Sequence, residues 1–146
     1  MIAIIGAGPS GLCLASILNR NGYSVTVYER DASSSARTQG GSLDIHESGQ
    51  IALAEAGCIE GFKRFARYDD QVYTLMDRHG NVHHHGLEEN RPEIDRSQLR
   101  SILLNAFPYV KWNSKVTKVE PGKVFLQSGP NQECHTYDLI IGMLNC

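Results

Sequence analysis

Gly6, Gly8 and Gly11 stand in the run Gly6-Ala7-Gly8-Pro9-Ser10-Gly11, directly after the apolar stretch Ile2 to Ile5. Leu12, Leu14, Ala15 and Leu18 follow at near-helical spacing. A GxGxxG between a strand and a helix lets a backbone hold a pyrophosphate. The first glycine permits a tight turn, the second removes a side chain that would keep an anion away, and the third lets helix and strand pack closely. The anion then rests on the helix N-terminus, where N–H groups and the helix dipole favour negative charge. Glu29 ends the next β-branched stretch, Ser24 to Glu29, where a carboxylate accepts hydrogen bonds from both hydroxyls of an adenosine ribose and repels a 2′-phosphate. Residues of these types in this order point to an adenine dinucleotide, with FAD and NAD both open.

The elements that must position these residues follow from the local pattern. Asn21-Gly22 closes the first helix, since glycine readily takes the left-handed conformation there. Residues 1–30 therefore read as one βαβ unit. Arg30 to Gly41 is a polar, Ser- and Gly-rich loop of the length that serves sites, and Gly40-Gly41-Ser42-Leu43-Asp44-Ile45-His46 has the residues of a ligand-facing turn. Surface helices are expected from about Gln50 to Ala56 and again from Ile59 to Phe65, separated by Gly57. Val72 to Met76 and the stretch through His83 flank His79-Gly80-Asn81, a hairpin signal. Asp69-Asp70 reads as a solvated turn pair and Leu87 to Pro92 as a charged loop. Asp95 is placed to cap a helix carrying Leu99, Ile102, Leu103 and Ala106, ended by Pro108. Val110 to Trp112, Val116 to Val119, Val124 to Leu126 and Tyr137 to Ile141 read as four strands, the middle two joined at Pro121-Gly122. The expected fold is α/β and Rossmann-like: a parallel sheet built on residues 1–30, completed by the strand at 137–142, with a small antiparallel meander inserted.

Composition narrows the partners. The chain has 146 residues, 14 Lys+Arg against 16 Asp+Glu, a net charge of -2 and 41% hydrophobic residues, the profile of one globular domain. That balance gives no electrostatic reason to expect nucleic acid or an anionic membrane. No run approaches the roughly 18 apolar residues of a bilayer span, and no basic leader precedes Ile2, so the cytoplasm is the expected compartment. Cys13, Cys58, Cys134 and Cys146 are scattered without a CxxC and read as reduced thiols. His83, His84 and His85 alternate faces along a strand, so no metal site is expected. Phe107, Tyr109 and Trp112, near the end of an amphipathic helix, are expected in the core.

Larger segments then carry a resemblance. GAGPSG, VTVYERD at Val25 to Asp31, Ala36-Arg37, GGSLDIH at Gly40 to His46 and EIDRSQLR at Glu93 to Arg100 resemble the N-terminal part of class A FAD-dependent monooxygenases. GGSLDIH and EIDRSQLRSILLN are most similar to the branch containing the tetracycline-inactivating flavin monooxygenases. The resemblance implies a glutathione-reductase-like FAD-binding domain. By position it also implies that Glu29 and Arg30 contact ribose and adenine, that Asp44 and Arg96 contact FAD, and that the Val116 backbone lies near the adenine. Arg37 matches an arginine near the flavin associated with NADPH use. Guanidinium groups suit such positions because they offer forked donors and a fixed charge. The alternative to these roles is that Arg96 and Arg100 are ordinary solvated helix charges and Arg37 a mobile loop charge.

The family's reaction uses NADPH to reduce the flavin, which then activates dioxygen for transfer to an electron-rich substrate carbon, the cofactor carrying the bond chemistry. The implied substrate is an aromatic or polyketide-like small molecule, and no catalytic side chain is named. After Gly142 the sequence departs from the family's continuation, so residues 1–146 are expected to be one truncated FAD-binding domain without the substrate domain or the C-terminal FAD-binding segments. Two expectations follow: the 146-residue form alone binds FAD weakly or not at all and does not hydroxylate, and uncovered apolar surface favours self-association. The alternative is a non-catalytic remnant that binds adenine dinucleotide or a partner chain. An NAD-dependent reductase would leave GGSLDIH and the Arg96 helix unexplained.

Overall fold

Alternation along the first strand decides the layering. In the computed structural model, which describes residues 1–36, 40–68, 72–87, 91–128 and 131–143, β1 (Ile2–Ile5) sends Ile2 and Ile4 into one core and Ala3 into another on the opposite face. Helix α1 (Pro9–Arg20) returns the chain to β2 (Val25–Tyr28), which lies parallel to β1 with Ile2 opposite Val25. Asn21 is the C-cap, and Gly22 follows at φ +81°, a left-handed conformation that favours glycine.

The chain then forms β3 (Ser42–Asp44), α2 (Glu47–Glu55), α3 (Ile59–Phe65), the hairpin β4 (Val72–Met76) and β5 (Val82–Leu87), β6 (Glu93–Asp95) and α4 (Arg96–Ala106). It ends with β7 (Val110–Lys111), β8 (Val116–Glu120), β9 (Lys123–Ser128), β10 (Asn131–Thr136) and β11 (Leu139–Gly142). The main sheet runs β11-β1-β2-β7, every pair parallel, with Ile2 opposite Leu139 and Val27 opposite Val110. The strand at 137–142 thus completes the sheet as its sequence indicates. The inserted meander is antiparallel, in the order β10-β9-β8.

Helices cover one face of the sheet and the meander the other. On the helix side Leu12, Phe62, Ile94, Leu103 and Phe107 are buried with Ile4 and Val27. A side chain such as Phe62, with no exposure, contributes roughly 1.5–3 kcal/mol by leaving water. On the meander side Tyr28, Val124, Leu126 and Tyr137 close over Ala3. Tyr28 and Tyr137 share a hydroxyl–hydroxyl hydrogen bond of 2.6 Å, which satisfies both buried polar tips. Among the described residues no helix is long and apolar enough to cross a membrane.

Several elements differ from the sequence expectation. Helix α2 begins at Glu47 rather than near Gln50. The Gly40–His46 turn contains β3, which pairs antiparallel with β6 so that Leu43 faces Ile94. Strand β10 lies in a polar stretch with no apolar alternation. Tyr109 is 70% exposed, against the expected core position; its ring packs edge-on against buried Phe107 and its other side faces water. Asp69-Asp70 and residues 88–90 of the expected 87–92 loop lie outside the described residues.

Candidate functional site

The glycine loop is shaped by close backbone contacts. Gly6, at φ +111°, donates its N–H to the Tyr28 carbonyl, and a Cβ there would lie 2.9 Å from the Met143 carbonyl oxygen. A Cβ at Gly11 would lie only 2.1 Å from the Gly6 carbonyl oxygen, so α1 crosses the turn at a distance no side chain permits. Gly8 differs in kind. It is the N-cap of α1 at φ -75° and ψ 173°, which any residue adopts, and a Cβ there would meet nothing within 4 Å. Its lack of a side chain is therefore not required by the protein's own packing. It leaves open space at a helix N-terminus that has no side-chain cap, the place where an anion is favoured.

Ala7 is held from both sides. Its N–H donates to Glu29 Oε2 at 2.8 Å, and its carbonyl accepts from Arg100 Nε at 3.1 Å. Glu29 Oε1 accepts the Asp31 N–H at 3.1 Å. A carboxylate offers about four lone-pair sites, so acceptor capacity remains for ribose hydroxyls. Arg100 is only 4% exposed; its Nη1 donates to the Ser34 carbonyl at 3.0 Å, and its guanidinium lies 5.3 Å from the Trp112 ring centroid. Beside it, a cleft of about 330 Å³ opens between Ser34–Ser35 and the Ser97, Ser101 and Asn105 face of α4.

The β3–β6 ribbon carries the second group of candidates. Asp44 ends β3 and is paired with Arg91 at 3.3 Å. The Arg96 N–H donates to the Gly41 carbonyl at 3.1 Å, tying the start of α4 to the glycine pair before β3. Arg96 and Arg100 are one turn apart on α4 and share a face. Asp95 takes the N-cap position expected of it, but its side chain makes no cap hydrogen bond. It pairs with Arg67 Nη1 at 3.1 Å, while Arg67 Nη2 reaches Glu93 at 2.9 Å. These carboxylates, Glu93 before Asp95, push the Arg67 guanidinium above its ordinary value. Their effect is to fix β6 and hence the start of α4.

The structure brings Gly6, Gly8, Gly11 and Glu29 together at the C-terminal ends of β1 and β2. Arg30 follows Glu29 and is exposed. Val116 packs beside Tyr28 next to Glu29, and the Ser114 N–H donates to the Glu29 carbonyl at 2.8 Å. Asp44 and Arg96 belong to the ribbon and α4, joined to the loop through Arg100. Arg37 lies outside the described residues. Arg100 is not a solvated charge. The signal available was its place inside the apolar stripe of α4, next to Leu99 and one turn from Leu103. The holding role of Ala7, Ser34 and Trp112 has no sequence signal. His84 stacks on Tyr73 and His85 bonds Thr74, while Cys13 and Cys58 are free thiols pushed up in pKa by burial.

Comparison with known proteins places this geometry. The family model described as an NAD(P)-binding Rossmann-like domain matches residues 4–59. Monooxygenase penA of Penicillium thymicola is 33% identical across 97% of this chain, which covers 37% of that protein. The chain matches the N-terminal part of FAD-dependent monooxygenases. Among solved structures, 2-methyl-3-hydroxypyridine-5-carboxylic acid oxygenase has a TM-score of 0.80 at 23% identity, covering 95% of this chain and 38% of its own, a likeness of fold. The tetracycline destructase Tet(51) has a TM-score of 0.68 at 27% identity, covering 97% of this chain and 38% of its own. The chain spans about 37% of the length of the first curated relatives it matches. The glycine loop and Glu29 fall inside the Rossmann-like match, whereas Asp44 also does and Arg96, Arg100 and Val116 lie beyond it.

Proposed function

We propose that these 146 residues are the FAD-binding N-terminal portion of an NADPH-dependent flavin monooxygenase acting on an electron-rich aromatic or polyketide-like small molecule. The observation that carries the reading is Gly8: open space at an uncapped helix N-terminus, at the end of β1 and beside Glu29. The residues present fit the adenosine-diphosphate half of FAD. Gly6 and Gly11 shape the turn, Gly8 admits the pyrophosphate to the α1 N–H groups, Glu29 accepts the ribose hydroxyls, and Arg30 and the Val116 backbone flank the adenine. Asp44 and Arg96 hold the part of the cofactor nearer the flavin, and Arg37 serves the reductant. When bound, FAD supplies the redox chemistry and oxygen activation. The chain's own residues bind and orient it. The likeness to a tetracycline destructase supports the substrate class.

Residues 1–146 form one domain in this reading, and by themselves they bind the cofactor weakly and do not hydroxylate. The test is a titration of the purified chain with FAD, followed by flavin fluorescence and visible absorbance, with NAD and ADP in parallel. Saturable binding of FAD and of ADP is expected. Absence of both, or preference for NAD over FAD, overturns the reading.

A second reading, a non-catalytic module that binds a partner chain or a second copy, is favoured by the β4–β5 hairpin. Val72, Leu75, Met76 and Val82 there are 54%, 59%, 54% and 58% exposed, a concentration of apolar surface unusual for a monomer. Size-exclusion chromatography with light scattering tests it, and a strictly monomeric 16.2 kDa species would count against self-association.

A further inference from the structure

Among the described residues, Arg100 is a buried cation whose contacts are all neutral: the Ala7 carbonyl, the Ser34 carbonyl and the face of Trp112. Among the described residues no carboxylate forms an ion pair with it. A charge taken out of water is costly unless a counter-charge or full hydrogen bonding compensates it, so this arrangement is electrostatically incomplete. Both carbonyls it holds belong to segments of the proposed cofactor site. Ala7 is inside the glycine loop, and Ser34 is in the loop that follows Glu29. Arg96, one turn earlier on the same helix, is tied to Gly41 through its backbone N–H, and among the described residues the side chain that bonds the glycine loop from α4 is that of Arg100.

We infer that Arg100 is a positioning residue of the anion cradle: it fixes the glycine loop against the Ser33–Ser35 segment and sets a positive charge behind the loop that the pyrophosphate of the bound dinucleotide neutralises. The inference rests on the FAD reading for the identity of the anion, and on the structure alone for the holding role. The Ala7 carbonyl fixed by Arg100 and the Ala7 N–H fixed by Glu29 together set the plane of the loop ahead of Gly8. A guanidinium does this where an ammonium does not, because Nε and Nη1 address two carbonyls at once from a rigid plane while the ring face of Trp112 supports it.

The test compares the wild-type chain with R100Q, R100K and W112L in two measurements. The first is amide hydrogen exchange of the ligand-free protein. Faster exchange, by about tenfold or more, is expected in R100Q for the segment around Gly6 to Leu12 and for Ser33 to Ser35, with the β8–β9–β10 meander unchanged. The second is affinity for ADP against adenosine by ligand-observed NMR titration. R100Q is expected to weaken ADP by about 10- to 100-fold, the scale of one or two charge-assisted contacts, and adenosine by less than about twofold. R100K recovers part of the ADP loss by restoring charge, and W112L loosens the two segments with the donors intact. Where R100Q does not fold, R100K and W112L carry both measurements. Unchanged exchange in the two segments overturns the holding role. Equal weakening of ADP and adenosine overturns the counter-charge role, since general loosening has no preference for phosphate. Failure of the wild type to bind ADP overturns the FAD reading and the counter-charge with it, and the exchange result still decides whether Arg100 holds the loop.

Discussion

Gly8→Ala and Gly11→Ala separate what the glycine motif does for the ligand from what it does for the fold. A Cβ at Gly11 would sit 2.1 Å from the Gly6 carbonyl oxygen and 3.3 Å from its carbon. Carbon–oxygen contacts of this kind settle at about 3.3–3.6 Å, so α1 or the turn must move by more than about 1 Å. Both clashing atoms are backbone, and no rotamer change relieves them. Overpacking of this kind costs about 3 kcal/mol or more, the upper end for inserted methyl groups. For a domain near this size that lowers Tm by about 6–12 °C. Gly8→Ala meets no protein atom and keeps an ordinary φ and ψ. Its expected stability change is within about 1 kcal/mol, the N-cap preference for glycine over alanine being offset by the reduced freedom of the unfolded chain. Its methyl group fills the space through which a pyrophosphate reaches the α1 N–H groups, so FAD and ADP affinity falls about 10- to 100-fold. The assay pairs thermal denaturation of the ligand-free variants with FAD titration. A Gly11→Ala variant that melts with the wild type refutes the packing argument, and a Gly8→Ala variant that binds FAD undiminished refutes the cradle.

Burial, with the hydrogen bond to Tyr137 adding to it, raises the Tyr28 hydroxyl well above its ordinary pKa. Above pH 10 the unfolded chain releases a proton that the folded chain keeps, so this contribution to stability is full below that pH and is lost as pH rises beyond it. Ultraviolet titration should show one tyrosinate appearing only with unfolding, and Tyr28→Phe, which strands the Tyr137 hydroxyl, should cost about 1–3 kcal/mol in urea denaturation; a Tyr28 that titrates with the exposed tyrosines would contradict this. Burial likewise suppresses the thiolate forms of Cys13 and Cys58, while Cys134 is exposed. Among the described cysteines, site-resolved alkylation at pH 7 should modify Cys134 before Cys13 and reach Cys58 only after unfolding, and early labelling of Cys58 would contradict its burial.

The βαβ unit was legible because its signals are local: apolar alternation in Ile2 to Ile5, glycines at a fixed spacing, and Asn21-Gly22 at the helix end. Strand β11 was legible for the same reason, its apolar run Leu139 to Ile141 needing only a neighbour to pair with. Strands β3 and β6 were not, because each is three residues long and exists through the other, Leu43 opposite Ile94 across about a third of the sequence. Strand β10 carries Gln132, Glu133 and His135, and pairing with β9 rather than its own pattern makes it a strand. The site divides in the same way. Gly6, Gly8, Gly11 and Glu29 announce themselves by type and spacing, whereas the burial of Arg100 depends on Ala7, Ser34 and Trp112 converging from three separate segments.

That convergence explains how a loop with three glycines holds one conformation. Glycine lowers the steric cost of a turn but raises the entropy lost in fixing it. The loop compensates at Ala7, whose N–H is taken by the Glu29 carboxylate and whose carbonyl is taken by the Arg100 guanidinium, so that opposite charges grip opposite ends of one residue. Hydrogen bonds to charged groups are each worth about 1.5–3 kcal/mol, enough to offset the ordering of the three residues from Gly6 to Gly8. Glu29 thereby acts twice, as the proposed acceptor for ribose hydroxyls and as an anchor for the loop that receives the pyrophosphate. A substitution at Glu29 should therefore weaken ADP and adenosine together, whereas one at Arg100 weakens ADP far more than adenosine, because Glu29 also accepts the ribose hydroxyls while the Arg100 charge answers only the pyrophosphate.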